Sequence, residues 1–250
     1  KISVFIYILL RTLIIVCLIR ELMLGNFEHV LLCILSLFLF ALPFFIEKKF
    51  KIEFSSIIEI LIFLFIFSAE ILGEINNFYV AIPFWDTILH TINGFLCGSI
   101  GFSLIYLLNK KTNLLQLSPI FVALVSFCFS MTIGVCWEFF EYGMDRFFGT
   151  DMQKDTYIDV IKSVTLDPDT NRVITIDGID HVLLYDKNDQ ELTKLNNYLD
   201  VGLYDTMNDL FVNFIGAAVF SVFGYLYIIN KEKYKIAGDL MTKRKADCNS

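Results

Sequence analysis

The 250-residue chain is 56% hydrophobic and only 19% charged, with a mean hydropathy of +0.63, whereas soluble domains are typically about a quarter charged. Continuous apolar runs recur along it at the length of about 20 residues that a bilayer-spanning helix needs, which excludes a soluble globular protein. The net charge of −7 is concentrated in one hydrophilic segment near the C-terminal third.

In chain order, the apolar runs predict spans at 2–20, 29–46, 56–75, 86–108, 118–142 and 205–230. Each should be helical, because backbone polar groups in lipid must be satisfied within the segment. The expected fold is an all-α integral membrane protein: a six-helix transmembrane bundle with a small extracytoplasmic α/β or β-hairpin insert between helices 5 and 6. The expected organisation is helices 1–5 over 1–148, the insert over 149–203, helix 6 over 204–230 and a tail over 231–250. The first run is too long for a signal-peptide core and lacks a small-x-small cleavage site before Arg20, so it reads as an uncleaved anchor. Arg11 within it is expected to face another helix, and Glu59 to snorkel from the start of the third span. Five of the six cysteines, Cys17, Cys33, Cys97, Cys128 and Cys136, lie inside apolar runs, and none forms a CxxC pair with another or with Cys248. They read as small lipid-compatible residues.

Direction follows from the basic residues. Lys48, Lys49 and Lys51, then Lys110 and Lys111, then Lys231, Lys233, Lys235, Lys243, Arg244 and Lys245 mark three cytoplasmic segments, whereas 76–85 has no Lys or Arg. Both termini are therefore expected in the cytoplasm. The basic tail fits attraction to anionic lipid and needs no nucleic acid. The segment 151–200 holds eleven acidic and five basic residues, in keeping with an extracytoplasmic location and a candidate docking role for 150–203 toward an envelope partner. Ser163–Leu166 and Arg172–Ile176 flank a polar turn and His181–Tyr185 is strand-like. Asp167, Asp169 and Asn171 imitate the start of a calcium loop, but Arg172 stands where that loop needs glycine, so a turn is expected.

Projected onto this topology, the intramembrane polar residues gather at the outer ends of four spans. The third ends with Glu70 and Glu74; the fourth begins with Asp86, His90 and Asn93; the fifth ends with Glu138, Glu141 and Asp145; the sixth begins with Asp205, Asn208, Asp209 and Asn213. Asp86/His90, Glu70/Glu74, Glu141/Asp145, Asp205/Asp209 and Asp209/Asn213 are four apart and Glu138/Glu141 three apart, so each pair shares a helix face. Ionisable groups facing lipid are costly, so these faces should turn inward. Helix bundles build metal sites from such inward carboxylates and histidines. The candidate cation ligands are Asp86, His90, Glu138, Glu141, Asp205 and Asp209, supported by Asn93, Asp145, Asn208 and Asn213. One imidazole among carboxylates is an oxygen-rich set suited to Mg, Ca or Mn, or to zinc with fewer ligands. His90, Glu138 and Glu141 are also the candidate acid–base residues. Asp86 and Asp205 are in addition placed to cap their helices. Gly94, Gly98 and Gly101, with Gly216 and Ala217, are expected to let helices approach closely. Trp85, Trp137, Tyr142 and Tyr204 suit an interfacial belt.

Phe84-Trp85-Asp86-Thr87-Ile88-Leu89-His90, Trp137-Glu138-Phe139-Phe140-Glu141 with Asp145 and Gly149, and Tyr204-Asp205-Thr206-Met207-Asn208-Asp209 with Asn213 and Gly216 resemble the YjdF-type family of bacterial inner-membrane proteins over roughly 70–225. That resemblance implies residence in the bacterial cytoplasmic membrane and supplies no reaction. A shorter similarity, through Asp86/His90, Glu138 or Glu141, and Asp209/Asn213/Gly216, is to VanZ-like membrane proteins. Three readings stand at this point: a cation-holding protein or enzyme acting on a lipid or cell-envelope substrate, an ion- or proton-coupled transporter, and a structural protein that binds an envelope partner.

Overall fold

A computed structural model of the chain describes residues 2–50, 52–111, 117–167, 169–170 and 172–244. Among them are six helices long and apolar enough to cross a membrane: Ile2–Leu24, Phe27–Lys49, Ser56–Ile75, Trp85–Asn109, Pro119–Phe148 and Leu203–Ile229. The chain is a multi-pass membrane protein, and its contacts divide it into two units, residues 1–136 with 209–250 and residues 137–208.

In the first unit, α1 (Ile2–Leu24) buries Ser3, Leu10, Ile14, Cys17 and Glu21, a stripe at helical spacing. It packs on α2 (Phe27–Phe50) through Cys33 and Phe40, and on Phe63 and Ile66 of α3 (Ser56–Ile66). Phe40 and Phe63 stack with ring centroids 5.0 Å apart. Near the end of α1, the buried Glu21 carboxylate accepts from Arg20 Nε at 2.7 Å and lies 3.0 Å from His29 Nδ1 of α2. Sequence reading missed this lock, because Glu21 sits beside Arg20 at a span end, where charges are ordinary.

Ser55 caps α3 by accepting from Ile58 N–H. The helix then widens into a π-helical segment, Phe67–Ile75, that carries Glu70 and Glu74. Such segments are rare and recur at functional sites. A single turn, α4 (Phe78–Ala81), leads to α5 (Trp85–Lys111). Against α5 pack the first part of α6 (Pro119–Phe148) and most of α7 (Leu203–Ile229). The Ser126 and Ser130 hydroxyls donate to the Gly98 and Gly94 carbonyls, each at 2.7 Å. A Cβ at Gly94 would run into the Asn213 backbone, and one at Gly216 into the Thr91 carbonyl. The glycines thus mark true backbone approaches.

Two expectations change here. Arg11 does not face a neighbouring helix: it is exposed and donates to Tyr7 Oη one turn back at 2.5 Å, because the α1 stripe that packs inward leaves position 11 on the other side. The tail, expected as a basic segment attracted to anionic lipid, also packs on the bundle. After a short helix α8 (Lys235–Asp239), Met241 and Thr242 are buried, Ser99 Oγ donates to the Leu240 carbonyl, and Thr242 N–H donates to Ser103 Oγ at 2.9 Å. Lys243–Arg244 (β8) then pairs antiparallel with Ile52–Glu53 (β1). Lys51, Lys245 and Cys248 lie outside the described residues. Ending the chain after Asn230 removes Leu240 and Met241 from this core. At ~1.5–3 kcal/mol per apolar side chain and ~2–4 °C per kcal/mol, the thermal midpoint in detergent is expected to fall by about 6–24 °C. An unchanged midpoint in a scanning fluorescence melt would show the tail to be unattached.

The second unit comprises the end of α6, the start of α7 and three antiparallel two-stranded ribbons between them. β2 (Thr156–Ile158) pairs β7 (Tyr198–Asp200), β3 (Ile161–Ser163) pairs β4 (Ile174–Ile176), and β5 (His181–Tyr185) pairs β6 (Glu191–Asn196). The insert is therefore β-ribbon, as its strand-like runs suggest. The third strand lies where the sequence places it. The first pairing ends at Ser163, not Leu166, since Ser163 Oγ accepts from Thr165 N–H and Asp167 from Thr170 N–H, turning the chain early. Asp167 is thereby a turn residue; Asn171 lies outside the described residues. The β5–β6 turn is closed by Asp186, whose carboxylate accepts from Gln190 and Asn188 N–H, each at 2.8 Å. Those bonds hold it below the ordinary carboxylate range. A cleft of about 760 Å³ in this unit is lined by Ile158, Ile161, Lys162, Leu166, Leu203 and Tyr204, among others.

Candidate functional site

The approach to α5 is strained. Phe84 has φ +64°, a left-handed conformation that a bulky side chain adopts only when its surroundings enforce it. Trp85 Nε1–H donates to the Ser68 carbonyl at 3.3 Å, tying the start of α5 to the π-helical segment. Asp86 lies inside the first turn of α5 and is not the residue before it. Asp86 thus stands two residues past the cap position, because the helix already begins at Trp85. From that turn, Asp86 Oδ1 is 3.5 Å from Nε2 of the buried His90. The same ring nitrogen, His90 Nε2, is 3.7 Å from Oδ2 of Asp209, which is only 1% exposed.

Beneath this group, Asn93 Nδ2 donates to Asn213 Oδ1 at 3.4 Å, and the fully buried Asn213 also reaches Met131 Sδ. Asp86, His90 and Asp209 are therefore one connected group in the first unit, and Asn93 and Asn213 a second on the same two helices. The reason is local. His90 lies one turn before Gly94, and Asp209 two turns before Gly216, at the places where the α5 and α7 backbones come closest.

In the second unit, Glu138 and Glu141 on α6 are 4% and 7% exposed. Trp137 Nε1–H donates to Glu141 Oε1 at 2.7 Å, which fixes one carboxylate oxygen. Asp145, one turn on, takes a different part. Its carboxylate accepts from Thr150 Oγ1 and Met152 N–H at 2.7 Å and from Gln153 N–H at 2.8 Å. Asp205 accepts from Lys154 N–H at 2.7 Å, and Gln153 Nε2 donates to Thr206 Oγ1 at 2.5 Å. Asp145 and one oxygen of Asp205 therefore organise the strap 150–154 between α6 and the insert, work that spacing alone did not reveal. Asp205 does not form the expected helix cap: it lies inside the first turn of α7, while Asp200 accepts from Tyr204 N–H. Asn208 is exposed. With its three acceptor bonds removed, Asp145→Ala should let trypsin cut after Lys154 several-fold faster than in the parent chain. An equal cleavage rate would contradict the strap.

His90 and Asp209 of the first unit and Glu138 and Glu141 of the second are all buried, and each offers a donor atom suited to a metal ion; Asp86 and Asp205 are less buried. The chemistry of the donors fits a hard divalent cation. No Lys or Arg occurs within 85–109, 119–145 or 203–230, and Arg146, in the last turn of α6, is exposed. Adjacent carboxylates then call for a shared proton or a cation.

No curated protein and no solved structure matches the chain. The model of one family does, that of the predicted membrane proteins DUF2238, over residues 2–230. As that match covers nearly the whole sequence and all six candidate spans, the chain belongs to the DUF2238 family of membrane proteins.

Proposed function

We propose that the protein holds a divalent cation at His90, Glu138, Glu141 and Asp209, and uses that site to bind or act on a lipid or cell-envelope substrate. The observation that carries this reading is the burial of one imidazole and three carboxylates within helical stretches, 85–109, 119–145 and 203–230, that contain no Lys or Arg. Ionisable groups so buried are kept only where a shared proton, hydrogen bonds or a cation offset the cost of leaving water. A bound cation would supply positive charge and Lewis acidity. Asp86 would orient the His90 ring, and His90 or a carboxylate not bound to the ion would take a proton from a substrate or water. Tryptophan at 137 fixes Glu141, and the Asn93–Asn213 pair holds α5 against α7 below the group.

The distribution of Lys and Arg supports a bacterial cytoplasmic-membrane protein with both termini inside, the insert outside and the cation site near the outer leaflet. The sequence blocks around Asp86, Glu138 and Asp205 support kinship with YjdF-type proteins, and more distantly with VanZ-like ones. A lipid-linked substrate is supported by the insert cleft, which combines apolar walls, one lysine and the first turn of a membrane-spanning helix.

Elemental analysis of the detergent-purified protein should find close to one equivalent of Mg, Ca, Mn or Zn per chain, and extraction should return a co-purifying lipid. If no metal accompanies or rebinds to the protein, the cation reading fails. Flux in proteoliposomes that depends on Glu141 or Asp209 would replace it with transport. Loss of function on deleting 155–198, with substitutions of the site harmless, would replace it with partner binding.

A further inference from the structure

Arg11 is thirteen residues before Leu24 and nine before Arg20 in a single unbroken helix. At 1.5 Å per residue it lies about 20 Å from the helix end and about 14 Å from Arg20, where the apolar run stops, close to the middle of a hydrocarbon core ~30 Å thick. Its side chain is on the surface of the protein, as are those of Val4, Ile8 and Ile15 on the same side of α1. The guanidinium donates to Tyr7 Oη and lies over the Tyr7 ring, 5.7 Å from its centroid. A hydroxyl and a ring face leave the full positive charge uncompensated. Arginine side chains can reach toward an interface from near a helix end, but from the middle of a span that reach falls short on both sides. Intramembrane arginines normally face protein and pair with acidic groups.

We propose that this face of α1 is an interaction surface for a membrane helix of a different protein, one that carries an aspartate or glutamate near mid-bilayer to pair with Arg11. Charge complementarity selects the partner. A two-fold contact between copies of this chain through the same face would set Arg11 against Arg11, and like charges repel in so weakly screened a setting. Of the carboxylates in the chain's own spans, Glu21, Glu138, Glu141 and Asp209 are buried, and Glu59, Glu70, Glu74, Asp86 and Asp205 lie within five residues of a span end, away from mid-bilayer. The exposed flanking residues Val4, Ile8 and Ile15 would supply the apolar contact on either side of the ion pair.

The test uses full-length protein in phosphatidylcholine vesicles and a synthetic leucine-rich transmembrane helix bearing either one central Asp or Leu in its place. Energy transfer between labels should show the Asp helix associating at least about tenfold more strongly than the Leu helix. Arg11→Leu should abolish the difference while leaving the melting temperature and bound metal unchanged. Equal association of both helices, or no effect of Arg11→Leu, would overturn the proposal. In native membranes, a photo-crosslinker at Ile8 should give an Arg11-dependent adduct with a protein whose spanning segment contains Asp or Glu. Adducts with lipid alone, or with a second copy of this chain, would equally overturn it.

Discussion

Replacing Asp209 by asparagine is expected to lower the divalent metal retained by the purified protein by at least about tenfold to a hundredfold, the loss typical even of partners one layer removed from a metal. The substitution is nearly isosteric, so the α5–α7 contact below it should persist. It removes one negative charge from a group in which Asp209 is 1% exposed and lies 3.7 Å from His90 Nε2. Glu138→Gln should act alike, since it withdraws a buried carboxylate without changing shape. Asp145→Asn provides the contrast. Its two carboxylate oxygens are committed to Thr150, Met152 and Gln153, so bound metal should stay within about twofold of the parent value while the strap loosens. Metal content by mass spectrometry, normalised to protein, decides between these outcomes. If Asp209→Asn and Asp145→Asn lose metal equally, or neither does, the assignment of the site to His90, Glu138, Glu141 and Asp209 is wrong.

The same contrast shows what could be read from the sequence. The six spans follow from apolar run length, and helical spacing brings Asp86 to His90 and sets Glu138 beside Glu141. Spacing cannot tell a ligand from an anchor. Asp145 and Asp205 have the same four-residue relation to Glu141 and Asp209 as genuine same-face neighbours have. Their roles are set instead by backbone N–H groups of residues 152–154, which no pattern within a helix records. Glu21 and the tail were missed for a related reason. Glu21 is buried by residues of the next helix, and the tail is held by two serines of α5 that lie about 140 positions earlier in sequence. Arg11 was misread in the opposite sense. Sequence placed it against a helix of its own chain, whereas the inward stripe of α1 runs through Leu10 and Ile14 and leaves Arg11 outside. The π-helical widening at Phe67–Ile75 had no signal in composition at all, because it changes the hydrogen-bond register and not the residue types.

Substituting Gly216 by alanine should be the most damaging single methyl group that can be added to this protein. At that position a Cβ meets the Thr91 carbonyl and the Phe95 amide nitrogen, and at Gly94 it meets the Asn213 backbone. These obstacles are main-chain atoms of packed helices, which cannot rotate away as a side-chain end can. Overpacking of a core costs ~1–3 kcal/mol and sometimes more; against backbone we expect about 3 kcal/mol or above, or a fall of at least about 6–12 °C in the detergent melting temperature. Gly143→Ala runs the other way. Nothing lies within 4 Å of its Cβ, so the gain in helix propensity of ~1 kcal/mol should raise the midpoint by about 2–4 °C. The comparison also tests how packing serves the site. Gly94 is one turn from His90 and Gly216 two turns from Asp209, so the backbone contact that these glycines permit is what carries the imidazole to the carboxylate. Gly216→Ala should therefore weaken retained metal as well as stability, even though it removes no ligand and no charge. A variant that melts as the parent does and keeps its metal would show that α5 and α7 do not approach as closely as the glycine positions require.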